Sequence, residues 1–477
     1  MGSALLPDSS FMITLEELQA VSRDIFASAL AACSIPQAFD RHLHFEGRAL
    51  VRHPSPRLPS IWQPLAGFRD YYVVALGKAA LSMLDALLER LPEKKRLHGV
   101  CSAPDIPKKR NWHIRYFAGG HPLPNEDSFA AARAALALLR HAKKDTFVFF
   151  LISGGGSAML ELPRDPAISL DDTIAFHETL VASGATITEV NTVRKYFSAV
   201  KGGRLALAAP QAEKLSLLLA DVPLKDLAAV ASSPTLPDYS SLSECFEILE
   251  RFHLLEKFPT AVRAWFERLR RDAGTMANSF AAEHAAAPAA QPEDPHHAAA
   301  FEHAQFDTLL SNHDFVNAAR DRAQALGYKV VVDNACDDWD YTEAAKYLLA
   351  RFHELRRESP RLCLLSSGEV TVRLSDHPGC GGRNQQFALA AALDLARYEG
   401  QRLAVLSAGS DGIDGNSPAA GAVADTTTVA RARAYSFDPI TTLARFDACT
   451  LFTALGDSVV TGPTGNNLRD LRILISG

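Results

Sequence analysis

The chain has 477 residues, which is too long for one ordinary hydrophobic core and predicts two to three domains. Apolar residues make up 47% and charged residues 22%, a composition typical of globular proteins and not of disordered chains. The formal net charge of -6 shows no excess of basic residues, which disfavours nucleic acid and anionic membranes as main partners.

Cysteine spacing and hydropathy bear on the cellular setting. Seven cysteines are scattered without a Cys-x-x-Cys pair, which favours reduced thiols over a disulfide framework or a zinc ribbon. The N-terminus lacks the basic and then apolar order of a signal peptide. Uninterrupted apolar runs stay far below the ~20 residues that span a bilayer. We therefore expect a cytoplasmic protein with no membrane partner.

Short apolar strands alternate with longer helices in the first part of the chain. The segment "YYVVAL" (71–76) predicts a strand, and "ALSMLDALLERL" (80–91) predicts the helix after it. A helix over "FAAARAALALLRHA" (129–142) then precedes the continuously apolar strand "FVFFLI" (147–152), as expected where both faces of a strand are covered. This order predicts a mainly parallel sheet with helices on both sides.

Two further helices are predicted before residue 205. Ser169, with Asp172 three residues later, is a capping signal for a helix that stops at Gly184. Apolar spacing from Ile187 to Val200 predicts the next helix, with one buried stripe. A polar stripe beside it is either a solvated face or part of a site, and it comprises Asn191, Arg194, Ser198 and Lys201.

A low-complexity segment divides the chain. Residues 272–300 are dominated by Ala, Pro, His and acidic residues and have little to bury, which predicts a flexible insertion. We therefore expect a first domain over residues 10–270, a linker or insertion over 271–304 and a smaller second domain over 305–477. The late strands "RLCLLSS" and "RLAVLSAG" belong to that second domain.

Five predicted strand ends carry Gly, Ser, Asp or Lys. They are Gly77–Lys78, Ser153–Ser157, Asp221–Pro223, Ser366–Glu369 and Ser410–Gly412. Ligands of open α/β sheets bind beyond the carboxyl ends of the strands, so these ends together predict one polar crevice. The run Ser153-Gly154-Gly155-Gly156-Ser157 would offer backbone amides to a phosphate group, although a plain strand-to-helix turn also explains it.

Standard nucleotide-binding fingerprints are missing. A G-x-G-x-x-G pattern begun at Gly154 would need glycine where Met159 stands, and Ala79 after Lys78 breaks a P-loop. The Gly202-Gly203 pair between Lys201 and Arg204 would either end a helix or admit a phosphate. His121, in "GGHPLPNEDS", is read as part of a packed turn, with a catalytic role as the alternative.

Several motifs, taken in order, resemble the class II glycerate kinases, the glycerate kinase/MOFRL family. They include "ALGKAA", "SGGGSAML", "NTVRKYFSAVKGGRLA", "GGRNQQFALA", "DGIDGNSPAAGAVAD" and "LGDSVVTGPTGNNLRDL". The resemblance implies an α/β fold of two domains. The N-terminal domain would be Rossmann-like, with a mainly parallel sheet and flanking helices, and the smaller C-terminal α/β domain would be of the MOFRL type. It further implies phosphoryl transfer from ATP to D-glycerate with Mg²⁺, giving 2-phosphoglycerate, in the cleft between the domains.

The same resemblance implies roles for individual residues. Lys78 and Arg383 match the family's active-site lysine and arginine, and Asp221 would be catalytic or a metal ligand. Asp411 and Asp414 are further candidates for Mg²⁺, although a turn without metal explains them almost as well. The residues that would hold the phosphates are Ser153, Gly154, Gly155, Gly156 and Ser157, with Asn191, Lys201 and Gly202 as weaker candidates.

The chain departs from the family pattern at several glycines. Leu224, Ser233 and Ser367 stand where the family usually has glycine, and a serine at positive φ would carry a steric cost. Two other functions therefore stay open: an NAD(P)-dependent hydroxypyruvate reductase, which the missing fingerprint disfavours, and a non-catalytic homologue that binds nucleotide or sugar acid. The oligomeric state is also open, with a homodimer among the options.

Overall fold

The computed structural model describes residues 13–53, 59–92, 97–220, 230–283, 301–374 and 377–477. Asp221, Leu224 and most of the low-complexity segment lie outside these residues. The chain forms two compact units, one over residues 38–309 and the other comprising the residues before and after that range. None of the helices in the described ranges is long and apolar enough to cross a membrane.

The described part of the chain contains helices in the following order. They are α1 (Leu15–Ala32), α2 (Ile35–His42), α3 (Ala80–Arg90), α4 (Glu126–Leu139), α5 (Gly156–Met159), α6 (Leu170–Val181), α7 (Ile187–Phe197), α8 (Arg204–Leu207), α9 (Leu242–Arg251), α10 (Thr260–Glu283), α11 (Asn312–Ala325), α12 (Tyr341–Leu355), α13 (Arg383–Leu395), α14 (Thr428–Ala434), α15 (Pro439–Ala444) and α16 (Ala448–Leu455).

The described strands form three sheets. The strands are β1 (Leu43–Glu46), β2 (Ala49–Arg52), β3 (Ile61–Pro64), β4 (Asp70–Leu76), β5 (Leu97–Ala103), β6 (Ile114–Ala118), β7 (Thr146–Ile152), β8 (Glu213–Ala220), β9 (Ala304–Ser311), β10 (Lys329–Val332), β11 (Leu362–Ser367), β12 (Leu403–Gly409), β13 (Gly421–Asp425), β14 (Ser458–Val459) and β15 (Asp470–Ser476). The first three strands form a small antiparallel sheet.

The central sheet of the 38–309 unit has the order β6-β5-β4-β7-β8-β9. Its first five strands pair in parallel, which confirms the predicted mainly parallel sheet. All seven residues of β7 are buried, as the continuously apolar run predicted. Phe150 packs in one cluster with Val74 of β4 and Leu218 of β8, against the small side chains Ala131 and Ala135 of α4. Each fully buried large apolar side chain contributes roughly 1.5–3 kcal/mol to this core.

The sequence predicts the start of α6 correctly, but not the end of α7. Ser169 accepts a hydrogen bond from Asp172 N, and the two residues form the predicted capping box. The prediction that α7 continues through Val200 is wrong, because Ser198 has extended backbone (φ -89, ψ 143). The solvated reading of the polar stripe is also wrong for Asn191, Ser198 and Lys201, which are buried.

The second unit contains a mixed sheet. Its order is β10-β11-β15-β12-β13-β14, and only the β10–β11 pair is parallel among the pairs whose direction is established. Helix α1 packs against β12, β13, β15 and α11, and Phe26 meets Phe315 edge to face with ring centroids 5.9 Å apart. The division of the chain into two units differs from the predicted domains. The prediction put α1 in the first domain, but its apolar face covers the sheet of the second unit. The start of the predicted linker also differs, because α10 continues to Glu283.

Candidate active site

The turns after β4 and β7 are joined to each other. The two strands run in parallel with Leu76 opposite Ile152, so the residues after them are neighbours. Lys78 N donates to Gly154 O at 2.9 Å, and Ser153 Oγ accepts a hydrogen bond from Ala79 N at 3.0 Å. Lys78 and the triglycine run, taken as Gly154–Gly156, therefore lie together.

Gly155 is the point at which this turn approaches other side chains. It adopts φ +80, and a Cβ added there would lie 3.0 Å from His121 Cδ2 and 3.2 Å from Lys78 Cγ. The absence of a side chain thus lets Lys78 and His121 both approach the turn. Partial burial and the charge of Lys78 lower the pKa of His121. The sequence predicts a packed turn for His121. Only the structure shows that this residue lies next to Lys78.

A chain of side-chain hydrogen bonds extends from the end of the triglycine turn. Ser157 Oγ and Ser232 Oγ are 2.8 Å apart, and Ser232 Oγ donates to Asn191 Oδ1 at 2.8 Å. Asn191, one of the weaker predicted phosphate contacts, is thereby connected to the turn through Ser232. Ser232 itself was missed, because the sequence offers no sign that a serine so far along the chain returns to this place.

The segment that carries Ser232 has a strained backbone. Ala231, Ser232 and Ser233 have φ values of 49, 56 and 54°, a left-handed conformation that costs roughly 1–2 kcal/mol per non-glycine residue. Gly202 N donates to Ser232 O at 3.2 Å and Gly203 N to Ser233 O at 2.7 Å, which holds the segment in place. The amide of Gly202, one of the weaker predicted phosphate contacts, therefore donates to a backbone carbonyl of the protein.

Replacing Ser233 should show the cost of the family's missing glycine. Ser233→Ala and Ser233→Gly both remove the weak bond from Ser233 Oγ to Leu236 O, 3.2 Å long. Only glycine relieves the left-handed strain, so we expect Ser233→Gly to unfold with a free energy about 1 kcal/mol higher than Ser233→Ala. Urea denaturation of the two variants measures this difference. Equal midpoints would contradict the strain at Ser233.

Lys201 belongs to a buried ionic cluster. Its side chain is 1% exposed, and its ammonium pairs with Glu161, which is fully buried. Glu161 also accepts a hydrogen bond from Ser198 Oγ at 2.5 Å and contacts His177 Nε2 at 3.1 Å. Burial acts to raise the pKa of Glu161, but Lys201 and His177 together lower it to about 2. Lys201, predicted as a phosphate contact, thus has its charge matched by Glu161.

This cluster should make folding stability sensitive to acid. Burial lowers the pKa of His177 to about 4 from 6.5, so the unfolded chain takes up a proton between these values while the folded protein does not. Lowering the pH from 7 to 4.5 should therefore decrease the free energy of unfolding by about 2 kcal/mol through His177. The lowered pKa of Glu161 acts in the same direction at still lower pH.

His177→Gln is the matched variant, since its amide can still donate to Glu161 but does not titrate. We expect its free energy of unfolding to fall less steeply between pH 7 and 4.5, measured by chemical denaturation at each pH. Identical slopes in the two proteins would mean that His177 titrates in the folded state as it does in water.

Arg383 occupies the first position of α13 in the second unit. Its Nε and Nη2 donate to the two carboxylate oxygens of Asp470 at 2.6 and 3.1 Å, and Nη1 lies 3.0 Å from Glu369 Oε2. Burial acts to lower the pKa of Arg383, but Asp470 and Glu369 outweigh it and raise the pKa. The guanidinium is therefore charged and fixed, while 35% of the side chain stays exposed.

Asp414 caps the helix that Arg383 begins. Its two carboxylate oxygens accept from Asn384 N at 3.0 Å and Gln385 N at 2.8 Å. A Cβ on Gly382 would lie 2.4 Å from Asp414 Oδ1, so the "GGRNQ" and "DGIDG" motifs pack directly together. Burial raises the pKa of Asp414 to about 7 against the effect of these N–H donors. Both oxygens of Asp414, a predicted candidate for Mg²⁺, thus accept hydrogen bonds from the first residues of α13.

Asp411 lies half-buried at the start of the same turn. Its Oδ1 accepts a hydrogen bond from Ile413 N at 3.2 Å, the turn geometry that the sequence left as the alternative to a metal. Among the described residues, no group of three or more His, Cys, Asp or Glu side chains could hold a metal ion. Asp411 is thus a single carboxylate, which suits Mg²⁺ only where phosphate and water complete the shell. Asp221 lies outside the described residues.

Comparison of the chain with models of known protein families supports the family that the sequence motifs indicate. Residues 21–267 match a model described as a domain of unknown function (DUF4147), which alone covers more than half of the chain. Residues 362–470 match the MOFRL family. The chain belongs to the glycerate kinase/MOFRL family. The predicted family is therefore confirmed, and so is the α/β fold with a separate C-terminal MOFRL domain.

Relatives of known name extend this family assignment. The glycerate 2-kinase of Pyrococcus horikoshii is 33% identical over 408 residues, which cover 85% of this chain and 87% of that protein. A protein of Agrobacterium vitis that carries the provisional name of hydroxypyruvate reductase is 34% identical over 411 residues, 85% of this chain and 87% of that protein. The crystal structure of glycerate kinase from Thermotoga maritima superposes with a TM-score of 0.76 at 27% identity and covers 97% of this chain and 100% of that chain.

Proposed function

We propose that the protein is a glycerate 2-kinase, which transfers the γ-phosphoryl group of ATP to D-glycerate and releases 2-phosphoglycerate. The observation that carries the proposal is the adjacency of Lys78 to the triglycine run, with Lys78 Cγ 3.2 Å from the position of a Cβ on Gly155. A fixed cation beside a glycine turn suits a transferring phosphoryl group, whose charge grows on its outer oxygens. Membership of the family and the name of the Pyrococcus relative support the same reaction.

Different residues of the chain have different roles in the proposed reaction. In the proposed mechanism Lys78 stabilises the charge of the phosphoryl group, and the bare backbone of Gly155 lets that group approach. Arg383, held by Asp470 and Glu369, would bind the carboxylate of glycerate or a phosphate with its planar fork. We infer that both sets act on one substrate complex.

The proposed reaction uses MgATP. Asp411 is the described carboxylate that would hold the ion, together with phosphate oxygens and water, and Asp221 is a second candidate. When bound, Mg²⁺ would neutralise part of the charge on the phosphates.

Identification of the product tests the proposal directly. The protein would be incubated with MgATP and D-glycerate, and the product identified by phosphorus and proton NMR against authentic 2- and 3-phosphoglycerate. L-Glycerate serves as the control substrate. We expect 2-phosphoglycerate with D-glycerate; 3-phosphoglycerate would correct the position of transfer, and ADP without phosphoglycerate would contradict glycerate as the acceptor.

The second candidate is a hydroxypyruvate reductase, which is favoured by the provisional name of the Agrobacterium relative. Against it, Met159 breaks the dinucleotide fingerprint after the triglycine run. Oxidation of NADH in the presence of hydroxypyruvate would support the reductase. Binding of MgATP and D-glycerate without turnover would instead support a non-catalytic homologue, the third function that the substituted glycines left open.

A further inference from the structure

His121 occupies a place at the candidate site that the proposed mechanism does not yet use. Its ring lies against the triglycine turn at Gly155. A Cβ added to Gly155 would be 3.0 Å from Cδ2 and 3.4 Å from Nε2 of that ring. Lys78 approaches the same glycine, with Cγ at 3.2 Å. No residue in the described ranges forms a hydrogen bond with either ring nitrogen of His121. The residue is exposed, so the imidazole can meet a ligand that enters from solvent.

The charged groups around His121 favour its neutral form. From the turn after β4, Lys78 is the charged group that faces it, and together with partial burial it lowers the pKa of the imidazole from 6.5. The triglycine turn contributes no titratable side chain among the described residues. In the first turn of α4, which follows the loop of His121, Asp127 accepts a hydrogen bond from Ala118 N at 3.1 Å, which engages its carboxylate. A neutral imidazole beside a lysine can accept a proton at physiological pH.

We propose that His121 is the proton acceptor of the phosphoryl transfer, an inference that rests on the proposed kinase function. The hydroxyl oxygen of D-glycerate forms a bond to the γ-phosphorus, while its O–H bond breaks and the proton moves to a ring nitrogen of His121. The bond from the γ-phosphorus to the bridging oxygen breaks, and its electron pair leaves with ADP. The exposed imidazolium then returns the proton to water. Lys78 stabilises the phosphoryl group during this step.

The test compares the wild-type protein with His121→Gln and His121→Ala. Glutamine keeps a hydrogen-bonding group at similar reach but does not titrate, so it separates contact from proton transfer. We expect kcat to fall at least ~100-fold in both variants, within the range for a general base. The wild-type profile of kcat/KM against pH should show an acid limb with a midpoint below 6.5, and His121→Gln should lack it. His113→Gln is the matched control, because that ring packs against Trp112 and is not among the groups nearest to Gly155.

Each outcome has a distinct meaning. If the wild-type protein makes no phosphoglycerate, the proposed function fails before His121 is tested. If the wild-type is active and His121→Gln retains both its rate and its acid limb, only the role of His121 is overturned. A slow His121→Gln variant that keeps the acid limb would also overturn it, because the imidazole would then contact substrate without taking the proton. Melting temperatures within a few degrees of wild type would show that the variants are folded.

Discussion

Replacement of Lys78 by alanine should lower kcat by at least ~100-fold, because the transferring phosphoryl group would lose a fixed positive charge at the moment when its negative charge is most exposed. Lys78 is half-buried, and its backbone N–H is held by Gly154 O. Within the described ranges, no carboxylate forms an ion pair with its ammonium. The charge is therefore available to a ligand. Steady-state assays of ADP formation with D-glycerate measure the effect, and KM for MgATP should change less than kcat.

The control for this experiment is Lys109→Ala, which removes an exposed lysine outside the site. It should keep wild-type kcat, and both variants should melt close to the wild-type temperature, since the backbone bond of Lys78 survives the substitution. Turnover by Lys78→Ala close to that of Lys109→Ala would remove Lys78 from the mechanism. The proposed reaction would then need another source of positive charge.

The part of the site that depends on neighbouring strands could be predicted from sequence. Both β4 and β7 are continuously or nearly continuously apolar, and parallel strands bring their carboxyl ends to one edge. Lys78 and the triglycine run follow those ends directly, so the sequence predicts that they lie at the same edge of the sheet. That they are immediate neighbours depends on the pairing of β4 with β7, which brings together Ala79 and Ser153, 74 residues apart in the chain. The capping box at Ser169 was equally accessible, because the groups that form it are three residues apart.

The roles of residues whose partners are distant in the chain could not be predicted from the sequence. Lys201 looked like a phosphate contact because it lies beside two glycines, but its charge is matched by Glu161, 40 residues earlier in the chain. Asp414 looked like a metal ligand, but it caps a helix that begins 31 residues before it, at Arg383. The local sequence identifies a polar side chain and its chemistry. Which residue forms its hydrogen bond or ion pair is decided by tertiary packing.

Arg383→Lys should lower kcat/KM for D-glycerate by roughly 100-fold, although the substitution preserves the charge. The guanidinium spans both oxygens of Asp470 and also reaches Glu369, which fixes its plane and leaves its exposed part in one orientation. An ammonium has no plane, and it cannot hold two carboxylates in this arrangement while presenting a fork to a substrate carboxylate or phosphate. We expect a higher KM for D-glycerate if the fork binds the substrate carboxylate, and a lower kcat if it contacts the phosphoryl group.

Arg431→Lys is the matched control. Arg431 is also 35% exposed and also donates to both oxygens of a single carboxylate, that of Asp457, at 3.3 and 2.7 Å. The two variants lose comparable ion pairs within the same unit, so their melting temperatures should fall by similar amounts. Only Arg383→Lys should lose activity, since Arg431 is not part of the candidate site. If the two variants were equally active, the planar fork of Arg383 would serve only to hold Asp470 and Glu369, and the substrate's anionic group would have to be bound elsewhere.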